Sequence, residues 1–204
     1  MLASLDVSTW EMIVVTIGIV VGSTRPGRVG EQVARWAQHR AAGLPGVQVD
    51  LVDLVDVALP FLDEAEHAST GIYAHAHTQQ WSRRIQALDA LVLVTPEYNN
   101  SFSAPLKNAL DFLVDEWRGK PVAMIGYGMT SAGTRAVAAL TPVVTALGMV
   151  PAGAVYLPLR SRVDICGVLQ PTGDDSAALN GLLVDLLELA ALLRPAQRAD
   201  AMVP

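Results

Sequence analysis

Cys166 is the only cysteine in this 204-residue chain. An intrachain disulfide is therefore excluded, and a reducing compartment, the cytoplasm, is the expected setting. The thiol itself reads as a small buried hydrophobe rather than a nucleophile. Positive charge is scarce: the formal net charge is −6, which argues against a nucleic-acid surface. The apolar run Met12 to Gly22 is too short to span a bilayer. Only Asp6 and Glu11 precede it as charges, so it lacks the basic leader of a secretion signal, and no membrane partner is expected. Charged residues make up only 17% of the chain and apolar residues 51%, a balance that disfavours disorder and supplies a real core. Internal repeats, low-complexity tracts and internal domain boundaries are all missing.

What is present is alternation. Ile13 to Val21 is a β-branched run suited to a central parallel strand, and a helix is expected over 31–42, closed by Gly43, Pro45 and Gly46. Val47 to Leu54 reads as a second strand, nearer the sheet edge. A long connection, Val55 to Ala74, holds Leu59-Pro60-Phe61-Leu62; loops of this length usually serve function or an interface. A helix over 75–88 carries Trp81, Ile85 and Leu88. Asp89 to Val94 suits a strand buried on both faces. Ser103 is the expected N-cap of the next helix, with Pro105 in its first turn and Leu106, Leu110 and Leu113 on one face. Pro121 to Gly126 is the fourth strand. A helix over 134–147 should kink at Pro142, and Val150 to Leu159 is the fifth strand, broken by Pro151. Residues 160–175 read as irregular. Leucines surround most of a last helix over 176–193, with Asp185 and Glu188 as its polar stripe. This order predicts an α/β fold: a doubly wound, five-stranded parallel sheet in a three-layer α/β/α arrangement. A single domain is expected over 12–194, with 1–11 an N-terminal extension and 195–204 a C-terminal tail.

Three loops follow the first, third and fourth strands, where an open parallel sheet binds ligands. The first, Gly22-Ser23-Thr24-Arg25-Pro26-Gly27-Arg28-Val29-Gly30, offers hydroxyls, two guanidinium groups and a helix N-terminus, which suits a phosphate. It is neither a Walker loop nor the dinucleotide fingerprint, since no Gly-Lys-Ser/Thr follows and the glycines fall at other spacings. The third-strand loop, Thr95-Pro96-Glu97-Tyr98-Asn99-Asn100-Ser101, brings an acid, an amphipathic ring and amides suited to a flat, polar-edged ring. In the fourth-strand loop Gly128 would let backbone approach that ring, and Tyr127 would stack on it or cover it. One phosphate and one planar ring describe a mononucleotide, and flavin mononucleotide (FMN) fits.

The motifs Gly22 to Arg28, Thr95 to Asn99 and Leu106-Lys107-Asn108-Ala109-Leu110-Asp111 resemble those of the NADPH-dependent FMN reductase family, which includes quinone, azo-dye and chromate reductases. The likeness extends over Met12 to Leu159 and takes in Gly71-Ile72-Tyr73, Trp81-Ser82 and Glu116 to Pro121. The resemblance implies a flavodoxin-like fold holding FMN without a covalent link. It places the phosphate on Ser23, Arg25, Arg28 and Val29, and the ring system and ribityl chain on Pro96, Glu97, Tyr98 and Asn99. It further implies NAD(P)H as co-substrate, a small-molecule electron acceptor, a homodimer or homotetramer, and no catalytic side chain, because the flavin carries the chemistry. Met129 departs from the pattern: it stands where the family commonly has a second glycine, and it bears on the substrate space beside Tyr127 and Gly128. Residues 160–175 match no part of the pattern.

Other readings compete. A flavin-binding electron carrier or redox sensor would need no nicotinamide, and a regulatory nucleotide module would have no use for the acid and amides of the third-strand loop. His67, His75 and His77 are read as solvated rather than metal-binding. Lys107 and Asp111 suit either an exposed helical pair or an intersubunit one. Trp36, Trp81 and Trp117 are expected in the core or an interface.

Overall fold

The structure is a computed structural model that describes the backbone of residues 14–200 and the side chains of residues 14–194. Residues 1–13 and 201–204 lie outside the described residues, and with them the expected N-terminal extension and the strand start at Ile13.

The elements in chain order are β1 (Val15–Val21), α1 (Gly30–Ala42), β2 (Val47–Asp53), α2 (Leu54–Val57), α3 (Ala76–Gln86), β3 (Ala90–Pro96), α4 (Ala104–Asp111), β4 (Pro121–Gly128), α5 (Thr134–Ala146), β5 (Val150–Pro158), α6 (Leu159–Arg162) and α7 (Gly173–Asp200). All neighbouring strands pair in parallel, in the order β2-β1-β3-β4-β5. That is the flavodoxin-like order, whose switch point lies between β1 and β3.

Strand parity divides the core in two. Ile17, Ile19 and Val21 of β1, Val92 and Val94 of β3, and Ala123, Ile125 and Tyr127 of β4 face α1 and α7. Val20, Leu91, Leu93, Val122 and Met124 face α3, α4 and α5. Every residue of β3 and β4 is buried, as expected of central strands covered on both faces. On the second face Trp81 and Trp117 are almost wholly enclosed. Their indole N–H groups donate to Ala109 O and Leu110 O, carbonyls of the last turn of α4.

Several boundaries differ from expectation. Strand β4 continues through Gly128, because its last residues still pair with Tyr156, Leu157 and Pro158. Helix α5 runs across Pro142, as expected, and closes at Ala146, one residue before the expected end. Residues 160–175, expected to be irregular, hold most of α6, a small antiparallel bridge between Val163 and Leu169, and the start of α7. Cys166 lies at the tip of that turn and is exposed, not buried. Helix α7 passes the expected tail boundary and ends at Asp200. Its stretch Gly173–Arg194 is long and apolar enough to cross a membrane by length and composition. Here it packs along β5, β4 and α1, with Leu179, Leu183 and Leu186 fully buried.

Candidate functional site

The loops after β1, β3 and β4 meet at the carboxyl edge of the sheet and are bonded to one another. Ser103, expected to cap α4, makes no side-chain cap bond. Its hydroxyl donates to Gly22 O instead, which ties the third-strand loop to the first. Ser23, almost fully buried, shares a 3.0 Å hydroxyl–hydroxyl bond with Tyr98. The first loop is thus held at both ends of the third.

The third-strand loop is a tight reversal. Tyr98 and Ser101 exchange backbone bonds of 2.9 and 3.0 Å, and the residues between them, Asn99 and Asn100, have φ of 49° and 66°. Positive φ at both central positions is the geometry of a type I′ turn, for which asparagine is among the suited residues. Pro96 is buried at the end of β3. Tyr98 is 39% exposed, and Asn99 is exposed beside it.

Glu97 is bonded to the fourth-strand loop. Ser131 Oγ donates to one of its oxygens, and the other accepts the Arg135 backbone N–H at 3.1 Å. The carboxylate therefore caps the first turn of α5, where its charge also suits the helix dipole. It joins the third-strand loop to the fourth.

Around the first loop the predicted residues separate. Arg25 is exposed and holds no ion pair among the described residues. Arg28 is largely buried and bound through Nη2 to Asp53 Oδ2, while Asp53 Oδ1 accepts Val55 N–H at the start of α2. Arg28 Nε is enclosed without a hydrogen-bond partner. Val29 occupies the N-cap position of α1 and supplies no capping side chain, so the first amides of the helix lack a side-chain acceptor. Gly27 takes φ of 70° with open space where a Cβ would be.

The fourth-strand loop also differs from expectation. Tyr127 neither stacks over the site nor covers it; it is 4% exposed and belongs to the core facing α1. Burial pushes its phenol pKa up, and the nearby Tyr98 adds to the effect, so it is a protonated donor at neutral pH. Gly128 is approached by its own chain: a Cβ there would lie 3.3 Å from Gly133 N and 3.4 Å from Glu97 Cβ. Met129 stands 59% exposed at the rim.

Beyond these loops, Asn108 holds the long connection in place. Its amide accepts from Leu62 N and donates to Pro60 O, which leaves Phe61 88% exposed. Phe61, Leu59, Pro105 and Thr24 border a cleft of about 400 Å³ beside α4. His75 and His77 stack at 5.2 Å, His77 meets Asp63 at 2.9 Å, and His67 accepts Ser69 N–H within its own turn. Lys107 and Asp111 pair within α4. Sequence reasoning missed the tying role of Ser103, the clamp at Asn108 and the need for Gly30. Only Gly30 left a signal, as a glycine opening a helix where better helix formers are available.

A mononucleotide phosphate fits this arrangement. The uncapped start of α1, the free Arg25 and the enclosed, unpartnered Arg28 Nε and Tyr127 Oη all surround one loop.

Comparison with known proteins gives the same direction. The model of a family described as NADPH-dependent FMN reductase matches residues 15–163. An NAD(P)H-dependent FMN reductase of Saccharomyces cerevisiae is 37% identical over 123 residues, which is 55% of this chain and 64% of that protein. An NAD(P)H-dependent FMN reductase of Nectria sp is 32% identical over 186 residues, 84% of this chain and 92% of the relative. The chain thus spans under two thirds of the yeast relative and most of the Nectria one. The solved NAD(P)H:(acceptor) oxidoreductase FerB of Paracoccus denitrificans superposes with a TM-score of 0.71 at 23% identity, covering 88% of this chain and 99% of that one.

Proposed function

Because the chain belongs to the NADPH-dependent FMN reductase family, we propose that it is an FMN-dependent NAD(P)H oxidoreductase acting in the cytoplasm on a small acceptor: free flavin, a quinone, an azo compound or a metal oxyanion. When bound, FMN would supply the hydride-transfer chemistry that links nicotinamide and acceptor. The protein's own residues hold and orient. The α1 amides and Arg25 would receive the phosphate, with Arg28 adding charge nearby. Pro96, Tyr98 and Asn99 border the ring system, in a loop fixed by its paired backbone bonds. Glu97 and Gly128 set the opposite loop, and Met129 shapes the rim where acceptors enter. No side chain is assigned as acid or base. The observation that carries this reading is the uncapped α1 start, with its enclosed donors, directly beside the rigid Tyr98–Ser101 turn.

Purified protein is expected to be yellow, to release FMN on denaturation, and to bleach when mixed anaerobically with NADPH or NADH. Chromatography of the released flavin and stopped-flow absorbance test this. FAD as the main species would overturn the cofactor assignment; FMN that neither nucleotide bleaches would make the protein an electron carrier.

We also propose a homodimer or homotetramer, with α4 and the 58–74 connection at the seam. Phe61 and Ile72 are 88% and 62% exposed there, and Phe61, Phe102, Ala139 and Val143 border a second cleft across α4. Large exposed apolar side chains grouped beside a cleft mark an interaction site. Phe112 and Trp117 are enclosed within the chain and add nothing to the seam. Light scattering with flavin fluorescence along a dilution series should show dissociation and loosened FMN together. A monomer retaining FMN at every concentration would refute the seam.

A further inference from the structure

The Tyr127 hydroxyl is enclosed and makes no hydrogen bond. The neighbouring Ser23 hydroxyl lowers the phenol's pKa as a hydrogen-bonding neighbour would, but it does not meet Tyr127 Oη at hydrogen-bond geometry and is bonded to Tyr98 instead. A buried hydroxyl that has lost water and gained no partner is destabilising. Gly30 shows where this hydroxyl rests. A Cβ on Gly30 would lie 2.4 Å from Tyr127 Oη and 3.2 Å from its Cζ. The end of the phenol thus fills the space that a side chain on the first residue of α1 would take. That position is at the first turn of a 13-residue helix whose N-cap residue, Val29, offers no side-chain acceptor. Arg28 is near enough to act on the phenol electrostatically, and its Nε is a second enclosed donor without a partner.

We propose that Tyr127 is a phosphate-binding residue that reaches the first loop from below: its hydroxyl donates to a phosphate oxygen seated on the first turn of α1, next to Arg28 Nε. This rests on the reading of the site as one for FMN and adds to it a core residue that senses the phosphate alone. Gly30 has a matching role, since any side chain there would displace the phenol. The ring contacts of the flavin, made by other loops, do not involve Tyr127. The residue therefore acts on the distinction between FMN and riboflavin, which differ only by the phosphate.

The test compares wild-type and Tyr127→Phe protein, both stripped of flavin, by titration with FMN and with riboflavin and by thermal melting. Tyr127→Phe is expected to raise the FMN dissociation constant about tenfold, the loss of one hydrogen bond to a charged group, and to leave riboflavin affinity unchanged. Without ligand its melting temperature should hold or rise, because the substitution removes an unpartnered hydroxyl. An FMN-to-riboflavin affinity ratio that does not move, or a fall in the melting temperature of the stripped protein, would overturn the assignment. Wild-type protein that binds neither flavin would overturn the functional reading itself, a distinct outcome.

Discussion

Arg28→Ala is expected to weaken both folding and FMN binding, whereas Arg25→Ala weakens binding alone. The two arginines look equivalent in the sequence, but their surroundings differ. Arg25 is exposed, so its removal costs one charge-assisted phosphate contact, about 1.5–3 kcal/mol or ten- to hundredfold in affinity. Arg28 is 16% exposed and bonded to Asp53, itself 12% exposed. Its removal leaves a carboxylate in a poorly solvated place, which costs about 2–3 kcal/mol once discounted for the remaining solvent access. Denaturant unfolding of the stripped proteins, set beside FMN titrations, separates the two effects. The double variant Arg28→Ala/Asp53→Asn should regain part of the lost stability and none of the lost affinity. Equal unfolding midpoints for Arg28→Ala and wild type would show that the pair is not structural.

Gly133→Ala should have a larger effect. Gly133 has φ of 88°, and a Cβ there would lie 2.2 Å from Tyr127 N and 2.3 Å from Gly126 C. Both are backbone atoms of β4, so no rotamer change relieves the overlap; the loop or the strand must move. A loss of roughly 4–5 kcal/mol is expected, at the severe end for one substitution. The fourth-strand loop should lose its shape with it, because Glu97 caps α5 immediately beyond. Gly27→Ala is the control: φ is 70° but no atom lies within 4 Å of the added carbon, so only the left-handed backbone penalty of about 1–2 kcal/mol applies. Calorimetric melting of the two variants should rank them in that order, and comparable losses would refute the close-packing argument.

These two cases show what could be read in advance. Element order, parallel pairing and the meeting of three loops followed from local pattern: β-branched runs, helix-ending glycines and a proline in the first turn of α4. The positions of Arg25, Tyr98 and Asn99 at the carboxyl edge came with that topology. The roles of Glu97 and Arg28 did not, because their partners lie 34 and 25 positions away, and no local rule says which carboxylate a guanidinium will meet. Tyr127 is an intermediate case. It shares strand parity with Ala123 and Ile125, both in the core facing α1, so period-two alternation already pointed its ring inward. Ending the strand at Gly126 concealed that signal. Composition favours a buried Cys166, but the Val163–Leu169 bridge carries it outward, and a residue at a turn tip has little to pack against.

The irregular start of β5 bears on how the protein behaves at high concentration. Val122 pairs with Pro151 and Ala123 with Gly153, so Ala152 is an extra residue in the ladder, and Gly153 takes φ of 142°. Strand β5 is one outer edge of the sheet, and outer edges are templates for unwanted strand addition between molecules. Proline gives no N–H for an incoming strand to accept, and a bulge bends the edge out of register. The distortion falls on the half of β5 away from the site, while the half beside β4's carboxyl end pairs regularly through Pro158. The same strand thus discourages fibre-like stacking at one end and supports the ligand-facing loops at the other.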